Sequence, residues 1–90
     1  MHMTDLENLR RNIDDIDDQI VVLLFKRFEI TREVGLLKAN NHLPAHDHSR
    51  EDQILSRLEE KSRLLSLDPD LIRSVYSLIL SEVLQINKAL

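Results

Sequence analysis

The feature that most constrains this chain is an apolar seam that runs through its first half. From Asp5 to about Asn40, apolar residues recur at alternating steps of four and three, which keeps side chains on one face of a helix. No proline and one glycine, Gly35, fall in this stretch. The seam comprises Leu9, Ile13, Ile16, Ile20, Leu23, position 27, Ile30, Val34 and Leu37. The pattern predicts one continuous helix over about residues 5–40, with Thr4 as its capping residue.

Such a helix is too long for a chain of 90 residues. Roughly 36 residues span ~54 Å, whereas a compact globule of this size has a diameter of about 30 Å. Because the seam continues to its far end, that end needs an apolar surface to pack against, and a second copy of the chain supplies one. We therefore predict an intertwined homodimer.

Two prolines divide the rest of the chain into two shorter helices. The second helix is predicted at about residues 48–64, with Asp47 or Ser49 as its cap, and the third at about 69–88, opened by Asp68 and Pro69. No strand pattern is visible, so the chain is expected to be a single all-α domain of three helices, residues 1–90. The residues expected to be buried are Ile54, Leu55, Leu58 and Leu65 on the second helix, and Leu71, Ile72, Val75, Leu78, Ile79, Val83 and Ile86 on the third.

Composition excludes several classes of protein. There is no cysteine, so disulfides and thiolate metal sites are absent, and the net charge of −4 argues against nucleic acid or an anionic membrane as the main partner. The longest apolar run, Ile20 to Phe25, is too short to cross a membrane, and the polar start does not resemble a signal peptide. We expect a cytoplasmic protein.

Arg27 occupies one position of the apolar seam. A buried arginine without a partner would cost several kcal/mol, so an anion should meet it there. The alternative is that its guanidinium reaches out to solvent or pairs with a glutamate. Half of the 12 basic residues lie in the first stretch, namely Arg10, Arg11, Lys26, Arg27, Arg32 and Lys38, which favours a small anionic ligand.

Helical geometry relates the three cations of greatest interest. Arg27 and Lys38 are eleven residues apart and share a face, about 16 Å apart along the axis. Arg10 points roughly 100° away from Arg27 on the same helix. In an intertwined dimer, Arg10 of the partner chain would instead lie beside this face.

The segment that follows carries further polar groups. Asp47, Arg50 and Glu51 either extend the basic site or form an ordinary helix start, with acidic groups at the positive end of the dipole. The loop histidines His42, His46 and His48 suggest a metal site, but we expect none, because no second cluster of ligands is evident.

Taken together, these residues resemble the all-helical AroQ-type chorismate mutases. The resemblance extends from about Leu6 to Leu90. It is carried by Leu9-Arg10-x-x-Ile13-Asp14-x-Ile16-Asp17, Leu23-Leu24-x-x-Arg27, Val34-Gly35-x-x-Lys38, Asp47-x-x-Arg50-Glu51 and Leu67-Asp68-Pro69. The family's fold is a dimer of three-helix chains whose long first helices cross the interface. Its members convert chorismate to prephenate, a step towards phenylalanine and tyrosine.

The resemblance also implies a role for each site residue. Arg10 of the partner and Arg27 would clamp the two substrate carboxylates, and Lys38 would donate to the ether oxygen. The Asp47 backbone amide and the Glu51 side chain would hold the ring hydroxyl, with Arg50 lining the pocket. The rearrangement is pericyclic, so no metal or organic cofactor is expected.

Two positions on the third helix depart from the family. Counted from Leu67-Asp68-Pro69, the family's serine and glutamine fall at Val83 and Asn87, and the resemblance implies that Asn87 takes the glutamine's place beside the ether oxygen. Ser81 and Gln85 keep the family's spacing but lie about 200° around the helix. The departures leave two alternatives open: an enzyme acting on a chorismate analogue, such as an aminodeoxychorismate mutase or an isochorismate pyruvate lyase, and a non-catalytic helical dimerisation or regulatory module.

Overall fold

The computed structural model describes residues 3–90, with side chains from Thr4 onwards. Three helices follow one another, α1 at Met3–Asn40, α2 at His48–Leu64 and α3 at Pro69–Lys88. Residues 3–90 contain no strand. The prediction of an all-α chain with a long first helix is confirmed.

The start of α1 differs from the prediction, whereas its end at Asn40 agrees with it. The helix is already formed at Met3, so Thr4 lies inside it and the prediction of Thr4 as the cap is wrong. At the other end, the Leu43 N–H donates to Lys38 O at 2.8 Å and the His42 N–H to Ala39 O at 3.2 Å. His42 takes a φ of 57°, the left-handed conformation that closes such a C-terminal turn.

Asp47 and Asp68 cap the two shorter helices. The Asp47 side chain accepts from the Arg50 N–H at 3.0 Å, so Asp47 rather than Ser49 is the cap of α2. The Asp68 side chain accepts from the Asp70 N–H at 2.9 Å, and Pro69 opens α3 as predicted. Ser66, with a φ of 57°, turns the chain between these helices.

The buried apolar cluster of the second half lies between α2 and α3. It consists of Ile54, Leu55 and Leu80, with Leu58 and Tyr76 packed against it. Leu80 is only 6% exposed, although it was not among the residues expected to be buried. The expectation fails within this chain for four residues, which are exposed: Leu65, Leu71, Val75 and Leu78. Two apolar faces therefore exist on α3, and the pattern alone did not show which one packs on α2.

An ion pair also joins the two helices. Arg73 Nη1 on α3 lies 2.6 Å from Glu59 Oε1 on α2. The hydrogen bond from Arg73 to Glu59, together with their charge attraction, raises the pKa of Arg73 above its ordinary value. The stabilisation that this shift represents is complete at lower pH and is lost only as the pH rises through the raised pKa. Arg73 thus makes no contribution to pH dependence in the neutral range.

The chain divides into two compact units, one ending at Ile30 and the other comprising Thr31–Leu90. In the first unit, the seam residues of α1 are exposed in the single chain, among them Ile13 at 57% and Leu23 at 62%. In the second unit, Val34 and Leu37 of the same seam are also exposed. Within residues 3–90, none of the helices combines the length and the apolar character needed to cross a membrane.

Candidate active site

The residues singled out by the sequence are distributed over both units. Arg10 and Arg27 belong to the unit that ends at Ile30, where Arg10 is exposed and Arg27 is half-buried. The remaining six lie in the unit that begins at Thr31, and they are Lys38, Asp47, Arg50, Glu51, Val83 and Asn87. The structure therefore supplies a local geometry for these six.

The start of α2 fixes one edge of the site. The Asp47 side chain caps the helix by accepting from the Arg50 N–H at 3.0 Å. Arg50 is exposed, and its Nη1 donates to Gln53 Oε1 at 2.6 Å, one turn further along α2. This segment therefore begins α2, with Asp47 and Arg50 exposed.

Glu51 has a partner that the sequence did not reveal. Its Oε2 lies 2.9 Å from His46 Nε2, and both side chains are about one-third exposed. The Glu51 N–H donates to Asp47 O at 3.1 Å, which anchors the residue in the first turn of α2. The pair therefore holds a half-buried carboxylate in one orientation beside the loop.

Asn87 is the buried polar group of α3. It is 8% exposed, and its Nδ2 donates to the backbone carbonyl of Ala45 at 3.5 Å. Its Oδ1 is buried without a hydrogen-bond partner within the described chain. A buried amide oxygen without a donor costs about 1–3 kcal/mol in stability.

The burial of residues along α3 shows which side of this helix faces the rest of the unit. Val83, one turn before Asn87, is half-buried, whereas Ser81 and Gln85 are both exposed. The side of α3 that faces the rest of this unit thus carries the pair Val83 and Asn87. A valine cannot donate to or accept from a substrate carboxylate, so Asn87 is the polar group that α3 presents inwards.

Gly35 explains how Asn87 fits against α1. The glycine is buried in the helix, and a Cβ added to it would overlap Asn87 Oδ1 and would lie 2.6 Å from Leu90 Cδ1. A glycine inside a helix costs about 1 kcal/mol relative to alanine, so it usually marks a close approach. As the only glycine of the chain, inside a long helix, it was a signal for this contact in the sequence.

Lys38 follows Gly35 by one helical turn and is half-buried. Asn87 contacts Gly35 on α1 and Ala45 in the loop, and the next loop residue, His46, pairs with Glu51. Asn87 thus lies between Gly35 on α1 and the loop that positions Glu51, and Lys38 lies one turn further along α1. Such a set can bind an anionic ligand, donate to an ether or carbonyl oxygen and accept from a hydroxyl.

We predict that Gly35→Ala damages the site more than it damages the fold. The added methyl group displaces the Asn87 side chain, whereas helix propensity gains about 1 kcal/mol and offsets much of the strain. Thermal unfolding should therefore shift little while turnover of the substrate falls about tenfold or more, since small misplacements are costly in catalysis. Ala39→Gly, at an exposed position of the same helix, is the control for helix propensity, and equal turnover in Gly35→Ala and the parent chain would contradict the prediction.

Comparison with known proteins identifies close similarities. The sequence profile of the family described as chorismate mutase type II matches residues 9–88. The T-protein of Enterobacter agglomerans is 34% identical over 80 residues, which cover 89% of this chain and 21% of that protein. The bifunctional chorismate mutase/prephenate dehydratase of Escherichia coli strain K12 is 33% identical over 82 residues, which cover 91% of this chain and 21% of that protein.

A solved structure has the same fold. The conserved hypothetical protein from Pyrococcus furiosus superposes with a TM-score of 0.76 at 34% identity, covering 93% of this chain and 96% of that one. The two curated relatives are much longer, and this chain spans about a fifth of their length, 21% in each case. The similarity therefore concerns one part of each relative.

Proposed function

Because this chain belongs to the chorismate mutase type II family, as the sequence resemblance indicated, we propose that it converts chorismate to prephenate. The observation that carries the proposal is the position of Asn87, which contacts Gly35, one turn before Lys38 on α1, and the loop whose His46 pairs with Glu51. Lys38, Asn87 and Glu51 are the three groups that the resemblance assigns to the ether oxygen and the ring hydroxyl. The proposal covers the mutase reaction alone.

The rearrangement requires two contributions from the protein. The substrate has to be held in its compact reactive conformer, and the negative charge that develops on the ether oxygen as the C–O bond breaks has to be stabilised. No covalent intermediate forms on the protein, since bond breaking and bond making occur within the substrate. Catalysis then depends on positioned charges and hydrogen-bond donors.

We assign Lys38 and Asn87 to the ether oxygen. The Lys38 ammonium supplies the positive charge, and the second N–H of Asn87 Nδ2 supplies a neutral donor, since the first is directed at Ala45 O. Glu51, held by His46, accepts from the ring hydroxyl. Arg27 and the partner's Arg10 are proposed to clamp the carboxylates, where a guanidinium makes two parallel hydrogen bonds.

The shared site requires a homodimer. Support comes from α1, whose 38 residues span about 57 Å and whose seam side chains are exposed in the single chain. Exposed apolar surface on this scale is typical of an interface rather than of a monomer surface. A second copy packed along the seam would cover these side chains and bring its Arg10 near Arg27 of the first chain. The cytoplasmic location remains a prediction.

Val83 and Asn87 favour a second candidate, a reaction of the same type on a chorismate analogue. Val83 offers no hydrogen bond where the family has serine, and Asn87 is one methylene shorter than glutamine. The candidates are an aminodeoxychorismate mutase and an isochorismate pyruvate lyase. Relative kcat/KM for chorismate, aminodeoxychorismate and isochorismate ranks the three substrates, and a clear preference for chorismate excludes this candidate.

The direct test of the main proposal is incubation of the purified chain with chorismate. We expect loss of chorismate with matching formation of prephenate, in the presence of a chelator and without an added cofactor. A rate no higher than in buffer would overturn the proposal and favour a non-catalytic helical dimer. The molar mass in solution, expected to be twice the 10.5 kDa of one chain, tests the dimer separately.

A further inference from the structure

Three metal-ligating side chains meet where the loop enters α2. His46, His48 and Glu51 each place one ligand atom within 4.8 Å of the others. His46 Nε2 lies 2.9 Å from Glu51 Oε2, and the rings of His46 and His48 have centroids 3.7 Å apart. We propose that these three residues bind one divalent transition-metal ion, with zinc as the representative of the class.

The donor set fits this class of ion. Two imidazole nitrogens and one carboxylate oxygen are typical zinc ligands, at about 2.0–2.2 Å from the metal. Ligand atoms around a tetrahedral ion at those distances are roughly 3.4 Å apart. Side-chain rotations that move the ligand atoms by about an ångström therefore complete the site. His48 is exposed and the other two are half-buried, which leaves them free to make that adjustment. Magnesium and calcium prefer oxygen ligands and should not bind here.

The backbone around the cluster is already fixed. Asp47, which separates the two histidines, caps α2 through its hydrogen bond to the Arg50 N–H. His48 is the first residue of α2 and Glu51 lies one turn later, so both project from the same face of the helix. The helix holds the Cα positions of His48 and Glu51, and the cap holds Asp47 next to His46, so metal binding mainly orders side chains.

A hydrogen-bonded His46–Glu51 pair accounts for two members of the cluster but not for the third. His48 has no role in that pair, and yet its ring lies against the ring of His46, tilted by 41°. Glu51 supplies the further ligand that the loop histidines do not provide by themselves. Substitution of His48 therefore distinguishes a metal site from a simple hydrogen-bonded pair of His46 and Glu51.

Metal binding has a consequence for the reaction, and this part rests on the proposed function. Glu51 is the group that we assign to the ring hydroxyl of the substrate, and a bound metal would take the same carboxylate. The metal and the substrate should therefore compete. Zinc is expected to inhibit the mutase rather than to assist it.

Binding is tested first by isothermal titration of the full chain with zinc chloride at fixed pH. We expect one zinc per chain, and a loss of affinity of about tenfold or more in His48→Gln and in Glu51→Gln. His42→Asn is the matched control, because His42 lies in the same loop outside the cluster and asparagine tolerates its φ of 57°. Equal zinc affinity in the parent chain and in His48→Gln would overturn the site, as would binding of magnesium with equal strength.

Inhibition is measured in the chorismate assay with buffered zinc. We expect zinc to slow the parent chain and the His42→Asn control, and a chelator to restore the rate, while His48→Gln loses this zinc sensitivity. Zinc binding without inhibition would overturn the competition for Glu51. Absence of turnover in every variant would instead overturn the proposed function, and the titration would still decide the metal site.

Discussion

Replacement of Lys38 by alanine should lower kcat for the rearrangement of chorismate about 100-fold or more, with a smaller change in KM. Lys38 is the group that we assign to the charge growing on the ether oxygen, so its contribution is larger in the transition state than in the bound substrate. Removal of one such donor typically costs about 3–4 kcal/mol in the barrier. Steady-state kinetics at saturating chorismate, with prephenate measured as product, provide the values.

Lys38 also has an ordinary structural explanation that the experiment has to separate. It lies in the last turn of α1, where a positive charge interacts favourably with the helix dipole, by about 0.3–1 kcal/mol. Lys61 holds the equivalent place in the last turn of α2 and is exposed, which makes Lys61→Ala the matched control. Both variants should lose a similar, small amount of thermal stability, and only Lys38→Ala should lose turnover. Equal kcat values in the two variants would assign Lys38 to the helix dipole alone.

The fold could be predicted where a local rule decides it. Asp68 and Pro69 define the start of α3 through a capping side chain and a proline at the first helical position, and both depend on neighbours in sequence. Leu78 and Leu80 show where local rules stop. The two residues lie on different faces of α3, and Leu80 is buried against α2 while Leu78 is 75% exposed in this chain. The choice between two apolar faces depends on the partner that each face meets, and a single sequence does not state that partner.

The residues of the candidate site also differ in how far the sequence alone predicts them. Charged residues such as Lys38 and Glu51 could be singled out by type and spacing as candidates, because the proposed catalysis needs those charges. The role of His46 was not recognisable, since its contact with Glu51 depends on how the loop meets α2. Gly35 was noted as the one glycine of the first stretch and as part of a motif, but the sequence did not show its burial against Asn87, which allows that amide to approach α1.

The second large effect is rescue of activity in a mixed dimer. Arg10→Ala and Lys38→Ala chains should each be inactive alone, because each homodimer lacks one group in both of its sites. In a mixed dimer, Lys38 of the first chain can meet Arg10 of the second, which restores one site of two. Random pairing of equal amounts makes about half of the dimers mixed. Because each mixed dimer has one intact site of two, about a quarter of the parent activity should return. Turnover of chorismate by co-expressed chains, against each chain alone, measures this.

A matched mixture distinguishes a shared site from a site built within one chain. The parent chain is co-expressed with an equal amount of a chain that carries both Arg10→Ala and Lys38→Ala. If Arg10 acts across the interface, every mixed dimer is inactive, and the parent homodimers alone retain about a quarter of the parent activity. If Arg10 acts within its own chain, each mixed dimer keeps one active site, and about half of the parent activity remains. Arg11→Ala is the control for charge, since Arg11 is the exposed neighbour of Arg10 and points roughly 100° away on the helix. No rescue in the first mixture and half the activity in the second would place Arg10 in its own chain's site, and the exposed seam of α1 would then need another explanation.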